Sequence, residues 1–471
     1  MSTELFTILR FELIVCVLIF LLLVMKLMDA DQSCKRLLRV VNFLLFINFA
    51  ASFLHIPDAT LFDGFFRTND LIELEKTILN LGVLLIPVLA SRWLYKHAEI
   101  SIEFYILMLS SLLGGFITLS SGHVLMLYLG IEISTIPIAA LANFNKHERR
   151  SSEAGIKFIL SSAFSTGMLL FGISLLYGAY GNLSFDYLQA NLTPNLLTLL
   201  AFAFMMGGFF FKMSAVPFHL WAADVYEGAP MAVTSYLSVV SKCSIVFVFV
   251  SILMTVFQHL SGEWLEIISV VAILSMTVGN LFAMRQQNLK RLLGFSSISQ
   301  IGFVLVGITG NSILGLDSTL YFMLIYVLSN ICFFGVLGAV ADATGKEDLN
   351  SFKGFYRTNP FLALMMGVSL LSLAGVPPTS GFFGKLFLLA SAMGDRMYIL
   401  IAFAGVNLVL SLYNYLRVIK YIFIDTPEER LCVGRTSVMT ITLAFCCIAI
   451  LSIGFISSVY QYIDWAGKLT F

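Results

Sequence analysis

The sequence predicts an all-α polytopic membrane protein of fourteen spanning helices, two of them broken. Three observations predict it. Of the 471 residues, 59% are hydrophobic and 12% charged, with a mean hydropathy of +0.91; a soluble globular chain carries about 25% charged residues. Apolar runs long enough to cross a bilayer, about 20 residues, recur along the whole chain. A few lysines lie inside these runs, two of them beside prolines. A charge in lipid is expensive, and a proline frees backbone carbonyls that lipid cannot satisfy, so together they point to a polar cavity between helices.

The first three runs are 11–28, 37–56 and 74–94. The first has Glu4 and Glu12 nearby and neither a basic leader nor a small-residue cleavage site, so it reads as a retained helix rather than a signal peptide. The fourth and fifth, 104–121 and 124–144, are separated by little more than Gly122. The sixth is 154–180. The seventh begins at Asn195, passes Lys212 and Pro217, and ends near Tyr226. The eighth to eleventh are 231–257, 264–284, 292–309 and 318–341. The twelfth, 361–393, is interrupted at Pro377-Pro378, and the last two are 397–424 and 437–462. Gly114-Gly115, Gly207-Gly208 and the Gly381, Gly384 pair are expected at close helix contacts.

Loop charges orient these helices. Nineteen of the 28 Lys and Arg residues fall in loops on the side of the first connection, and five (Arg10, Arg67, Lys76, Arg396 and Lys468) on the other. Basic loops face the cytoplasm, so both termini are expected outside. The remaining four, Lys157, Lys212, Lys242 and Lys385, lie within spans, joined by Glu132 in the fifth.

Two broken helices, each with a lysine beside the break, stand five helices apart. Five is odd, so a tandem repeat of five enters the membrane inverted, a design that places sites at broken helices near the midplane. The expected organisation is helices one to three in 1–103, a first repeat in 104–257, an inverted second repeat in 258–424, and the last helix in 425–471.

Several chemistries are excluded. Acidic and basic residues cancel at 28 each, so no nucleic-acid partner is expected. The seven cysteines show no CxxC or Cys/His ligand spacing, which argues against a disulfide framework, a zinc site or an iron–sulfur cluster. No GxGxxG or GKS/GKT loop is present. His123 and His219 are the two histidines placed for haem ligation, which needs paired ligands on facing helices; His219, beside a break, reads better as a proton relay or a satisfied polar group. Lys157, near a helix end, is either a snorkelling side chain or a functional one. A Glu near a Lys keeps both charged at lower cost, so a Glu132–Lys212 pair is either structural or part of a transfer device. Lys242 and Lys385 have no evident mid-span acid to neutralise them. A row of such lysines can pass protons where water or hydroxyls bridge them.

The motifs around these lysines resemble one family. Lys212-Met-Ser-Ala-Val-Pro217-Phe-His-Leu-Trp221-Ala-Ala-Asp224-Val-Tyr-Glu-Gly228-Ala-Pro230 resembles the seventh-helix signature of the antiporter-like membrane subunits of respiratory complex I. The segment from Leu289 to Gly302 resembles the start of the family's tenth helix, and that from Ala374 to Lys385 its twelfth-helix break. The resemblance covers helices four to thirteen by motif and the terminal helices by count.

It implies a proton-translocating subunit that couples quinone reduction to pumping. Glu132 is then the fifth-helix acid, Lys212 its partner, Lys242 the central lysine, Lys385 the twelfth-helix lysine and Lys157 a sixth-helix lysine. It implies no cofactor in this chain, with NADH, FMN, iron–sulfur clusters and quinone in other subunits. It implies as partners the antiporter-like subunit M, small membrane subunits and the lipid of a bacterial cytoplasmic membrane. Three features set the chain apart from two branches of the family. The M branch typically has Glu where Lys385 stands, the L branch carries a long C-terminal lateral helix with no counterpart after the fourteenth run here, and the motif around Tyr226 differs in both. Gln300 stands where a histidine is common, as a candidate relay, and Ala223 replaces a proline. Subunits of multi-subunit sodium/proton antiporters and membrane-bound hydrogenases share the pattern, and a membrane scaffold with structural charges is a third reading.

Overall fold

The computed structural model describes residues 2–28, 34–54, 58–310, 312–393, 397–426, 431 and 433–470. Residues 55 and 56, which end the second predicted run, and the loop residues Arg396 and Arg430 lie outside the described residues. The helices that matter below are α1 (Arg10–Leu27), α2 (Cys34–Ala50), α3 (Asp70–Leu89), α4 (Ser101–Leu119), α5 (Val124–Ala142), α6 (Arg149–Tyr180), α7 (Leu196–Met213) and α8 (Leu220–Gly228). They continue with α9 (Met231–Thr255), α10 (Ser261–Ala283), α11 (Leu289–Ile308), α12 (Ile313–Thr344), α13 (Pro360–Ala374) and α14 (Ser380–Met393). The last three are α15 (Tyr398–Phe423), α16 (Ser437–Ser452) and α17 (Ser457–Thr470).

Every predicted run is helical over most of its length, and the seventh and twelfth are each two helices, α7 with α8 and α13 with α14. Among the described residues nine helices are long and apolar enough to cross a membrane, or ten if α16 and α17, bent by 79°, form one span. The rest of the predicted fourteen are shorter or carry charge. A short antiparallel hairpin, Ala59–Leu61 with Phe66–Thr68, precedes α3, an element the apolar runs do not announce. It is pinned to the α4–α5 corner by Arg67 N to Ser120 O, 2.8 Å, and Gly122 N to Phe65 O, 2.8 Å. Three helix starts are capped by asparagine: Asn69 accepts from Ile72 N, Asn195 from Thr198 N and Asn288 from Arg291 N.

Burial divides the helices into two groups. In α9, α11 and α12, 89%, 94% and 89% of the apolar window is inside the protein, whereas in α6, α10 and α15 the share is 39%, 39% and 33%. The first three therefore form an axis that no lipid reaches, and a charge on them must be satisfied by protein or water. The outer helices present residues such as Phe164, Leu160, Val270 and Val409 outward. α4 and α5 pack backbone to backbone: a Cβ added at Gly114 would sit 2.7 Å from Ser134 Cα, so only glycine fits there.

One expectation is overturned. Arg10 and Lys76, assigned from the sequence to outer loops, are buried, with Lys76 fully enclosed. α1 and α3 begin at Arg10 and Asp70, earlier than the apolar runs, so their charged first turns enter the bundle and pair across it. A hydropathy window scores each of these charges as a preference for water, although Arg10 and Lys76 lie on helices packed inside the bundle.

Candidate functional site

At the first break, α7 ends on Ser214 in the left-handed region, φ +59°. The carbonyls freed there are taken up locally: Trp221 Nε1 donates to Phe211 O at 3.1 Å, and Ala215 N to Phe210 O at 2.8 Å. Val216 N reaches Ser275 Oγ of α10 at 3.0 Å. Pro217 itself is exposed and His219 half-buried, with its Nδ1 enclosed and unpartnered among the described residues.

Lys212 lies in the last turn of α7 and is 9% exposed. Its ammonium donates to Thr135 Oγ1 of α5 and to Ser162 Oγ of α6 at 3.2 Å. Glu132 is one turn before Thr135, yet no ion pair forms between Glu132 and Lys212, and Glu132 Oε1 is buried without a partner among the described residues. Two hydroxyls hold the lysine where the sequence suggests the carboxylate.

Lys242 follows a π-helical turn, Leu237–Ser241, in the middle of α9. Such turns interrupt the regular hydrogen-bond ladder and recur at functional sites. The ammonium donates to Ser297 Oγ of α11 at 2.7 Å and lies 5.3 Å from the ring of Tyr226 on α8.

The second break repeats the logic of the first with different partners. Gly375, φ +81°, ends α13, and α14 begins at Ser380. Pro377 and Pro378 are exposed. Lys385 points back to the end of α13, donating to Leu373 O at 2.6 Å and Ala374 O at 3.3 Å, with the Phe303 ring 4.8 Å away. Free carbonyls at a helix C-terminus carry partial negative charge, so a lysine is well placed there. Gln300 of α11 donates through Nε2 to the same Leu373 O, 3.2 Å, and to Tyr415 Oη of α15, 3.0 Å. Tyr415 also hydrogen-bonds Ser296, the neighbour of Ser297. Hydrogen bonds thus join Ser296, Tyr415 and Gln300 to the carbonyl that holds Lys385, while Lys242 bonds Ser297, the residue after Ser296 on α11, and the Ser297 hydroxyl donates to Gly294 O.

Lys157 is less enclosed, its side chain 41% exposed, and it pairs with Asp224 at 2.6 Å and Glu153 at 2.7 Å. Arg291 holds Asp224 and Glu227 at 2.6 and 2.9 Å, and these groups line a cavity of about 200 Å³ at the ends of α6, α8 and α11. Ala223 packs against Gly294 where α8 meets α11. His123 caps α5, accepting from Leu125 N at 3.2 Å, and its ring stacks on Phe65 at 4.3 Å, so it is committed to that corner rather than to His219. Sequence reasoning missed Thr135, Ser162, Ser297 and Tyr415. Thr135 carried a weak signal, one helical turn from Glu132; the others stand among many similar residues.

Buried lysines at two broken helices, with a third on the central helix between them, define an ion-translocating membrane subunit of the antiporter type. The family described as NADH:quinone oxidoreductase/Mrp antiporter, transmembrane region, matches residues 121–411, and the chain belongs to it. Within that family it is similar to subunit N of NADH-quinone oxidoreductase from Phocaeicola vulgatus, 41% identical over 86% of this chain and 87% of the relative. Subunit 2 of the NAD(P)H-quinone oxidoreductase of a Synechococcus species is 36% identical over 79% of this chain and 71% of that one. A chain of respiratory complex I from Thermus thermophilus superposes with a TM-score of 0.83 at 26% identity, covering 96% of this chain and 98% of that one. A chain of the Mrp complex from a Dietzia species shares the fold, TM-score 0.86 at 21% identity, covering 99% of this chain and 97% of that one. The motif resemblance is borne out, and the branch left after setting M and L aside is the N branch of these relatives.

Proposed function

We propose that this chain is the N-type proton-translocating membrane subunit of an NADH:quinone oxidoreductase, the counterpart of mitochondrial subunit 2. It carries no redox step itself; NADH, FMN, iron–sulfur clusters and quinone belong to other subunits. The observation that carries the reading is the row of buried lysines, each held by neutral hydroxyls or carbonyls rather than by a carboxylate. An ammonium held by neutral groups is free to exchange its proton, because a hydroxyl can accept from an ammonium and donate to an amine. A lysine locked in a buried ion pair would not be.

In this reading Glu132 modulates Lys212 from one turn away, Lys242 joins the two halves, and Lys385 is the terminal group. Protons enter through the Lys157–Asp224 mouth, with His219 a relay beside the first break. Quinone reduction elsewhere in the complex changes the hydration and charge pairing of the row. The breaks at α7–α8 and α13–α14 support two inverted repeats, 104–257 and 258–424, between helices one to three in 1–103 and the last helix in 425–471, fourteen spans in all. The basic loops support a bacterial cytoplasmic membrane with both termini outside, and the partners are subunit M and the small membrane subunits. The test is a mild detergent extract of native membranes run on a native gel and stained for NADH dehydrogenase activity. Co-migration of the chain with the large NADH-active band is expected; migration apart from it refutes the assignment and leaves an ion antiporter or hydrogenase. Within the complex, Lys212→Ala that pumps normally refutes the roles.

A further inference from the structure

The C-terminal helix α17 brings together a group of ionisable side chains away from the lysine row. It leaves α16 at a bend of 79° and lies against α12 and α3. Asp464 and Lys468, one turn apart, pair at 2.6 Å on the face that also carries Gly467. Opposite them stands Asp317, near the start of α12. It is 1% exposed, and neither of its oxygens has a hydrogen-bond donor among the described residues. A Cβ added at Gly467 would sit 2.6 Å from Asp317 Oδ1, so this carboxyl is pressed against α17. Asp464 lies within hydrogen-bonding reach of it. Two ionised carboxylates offer acceptors only, so no bond joins them until one carries a proton. An enclosed carboxylate beside a second carboxylate is costly, whereas the pair is satisfied once it shares one proton. Lys468 balances the charge that remains.

The other titratable groups on the surrounding helices are committed elsewhere. Tyr321 of α12 donates to Ile453 O at 3.2 Å. α3 brings Asp70 and Glu73 to the Tyr462 side of α17, and Glu73 binds Arg10. Lys385 of α14 turns to Leu373 O, and Lys242 of α9 to Ser297. Lys290 and Arg291 stand at the opposite end of α11, and Cys446 and Cys447 of α16 lie near Cys332, further along α12. α17 also covers the seam between α12 and α14. Tyr460 packs on Tyr321 at 5.5 Å and on Phe387 at 4.8 Å. Phe387 follows Lys385 by two residues, on the stretch of α14 that runs to the end of the bundle where α12 begins. There a Cβ added at Gly310 would meet Ser391 O at 2.9 Å.

We propose that α17 is a lid over this end of the Lys385 half, latched to α12 by one proton shared between Asp317 and Asp464. Closing takes up a proton, so the latch holds in acid and is lost as the pH rises. On opening, the O–H bond of the shared proton breaks, the proton goes to water, and both aspartates are left ionised. No electron moves. α12 begins on the outer face in the reading above, so the pair meets the side that pumping acidifies. The lid then closes as protons accumulate outside and opposes their return to Lys385. That consequence rests on the proposed function, whereas the latch rests on the contacts alone.

The test is hydrogen–deuterium exchange of the intact complex in detergent, in a series from mildly acidic to mildly alkaline pH. Each rate is divided by that of an unstructured peptide at the same pH. Exchange in α17 is expected to rise with pH, by up to about tenfold per pH unit, because opening releases one proton. In Asp317→Asn the amide donates to Asp464 at every pH, so α17 should stay protected throughout. A wild-type α17 whose exchange does not change with pH overturns the proposal, and so does an Asp317→Asn complex with the wild-type pH dependence. If Asp317→Asn does not assemble, Asp464→Asn, at a partly exposed position, makes the same test. The lid is read separately with Phe387→Cys in right-side-out vesicles. Its rate with a membrane-impermeant maleimide, divided by that of glutathione, should rise with pH, and a constant rate while α17 opens overturns the lid. None of these readings depends on pumping. Their failure in a chain that co-migrates with the NADH-active band overturns this inference alone. Migration apart from that band overturns the proposed function, and the exchange series still decides the latch.

Discussion

Tyr415→Phe probes the stretch between Lys242 and Lys385. The Tyr415 hydroxyl is 1% exposed as a residue and sits between Ser296 and Gln300 Nε2, the latter at 3.0 Å. Phenylalanine fills the same space without the oxygen. Gln300 keeps Leu373 O at 3.2 Å, but Ser296 loses its side-chain partner and Gln300 one of two acceptors. A buried polar group left unpaired costs about 1–3 kcal/mol. If the same interruption raises the barrier to proton passage by about 1.4 kcal/mol, transfer slows about tenfold. The assay is the NADH-driven quench of a pH-sensitive dye in inverted vesicles, normalised to complex on a native gel. Tyr415→Phe should assemble and pump about tenfold more slowly. Wild-type pumping in an assembled Tyr415→Phe complex would refute the route through Tyr415. Gln300→His, which puts back the side chain the family resemblance implies, should keep pumping, since a neutral imidazole can donate to the Leu373 carbonyl through one nitrogen and accept from the Tyr415 hydroxyl through the other.

Other outcomes follow from the same contacts. Lys385→Met removes the ammonium that holds the Leu373 and Ala374 carbonyls, while Met retains most of the apolar length; the complex should assemble on a native gel and fail to pump. Glu12→Gln leaves Lys76 enclosed without its counter-charge; breaking a buried pair from one side costs about 3–5 kcal/mol, read as a lower melting temperature of the purified complex. Asp224→Asn should change stability by less than about 1 kcal/mol, because Lys157 and Arg291 are partly exposed and keep Glu153 and Glu227. Gly114→Val drives a side chain into Ser134 and should separate α4 from α5, seen as loss of assembled complex.

The sequence alone determined the class of fold, the position of both breaks, and the four lysines and one glutamate inside the spans. Each of these is local: apolar runs are read in a window, prolines interrupt the helix where they stand, and a charge stands out within such a run. The motifs around Lys212, Leu289 and Lys385 were also local, and they carried the family. Only the tertiary structure decided what the charges touch. The partners of Lys212 are 77 and 50 residues away and that of Lys242 is 55 away, each an ordinary hydroxyl. Tyr415 meets Gln300 across 115 residues. The charged starts of α1 and α3 read as solvent-exposed ends, because a hydropathy window treats a charge as a preference for water. It cannot register an opposite charge 63 or 64 residues away that makes burial tolerable. Hydropathy depends on what a residue is, whereas satisfaction of a buried charge depends on which helix faces meet, and that is settled only when the helices pack.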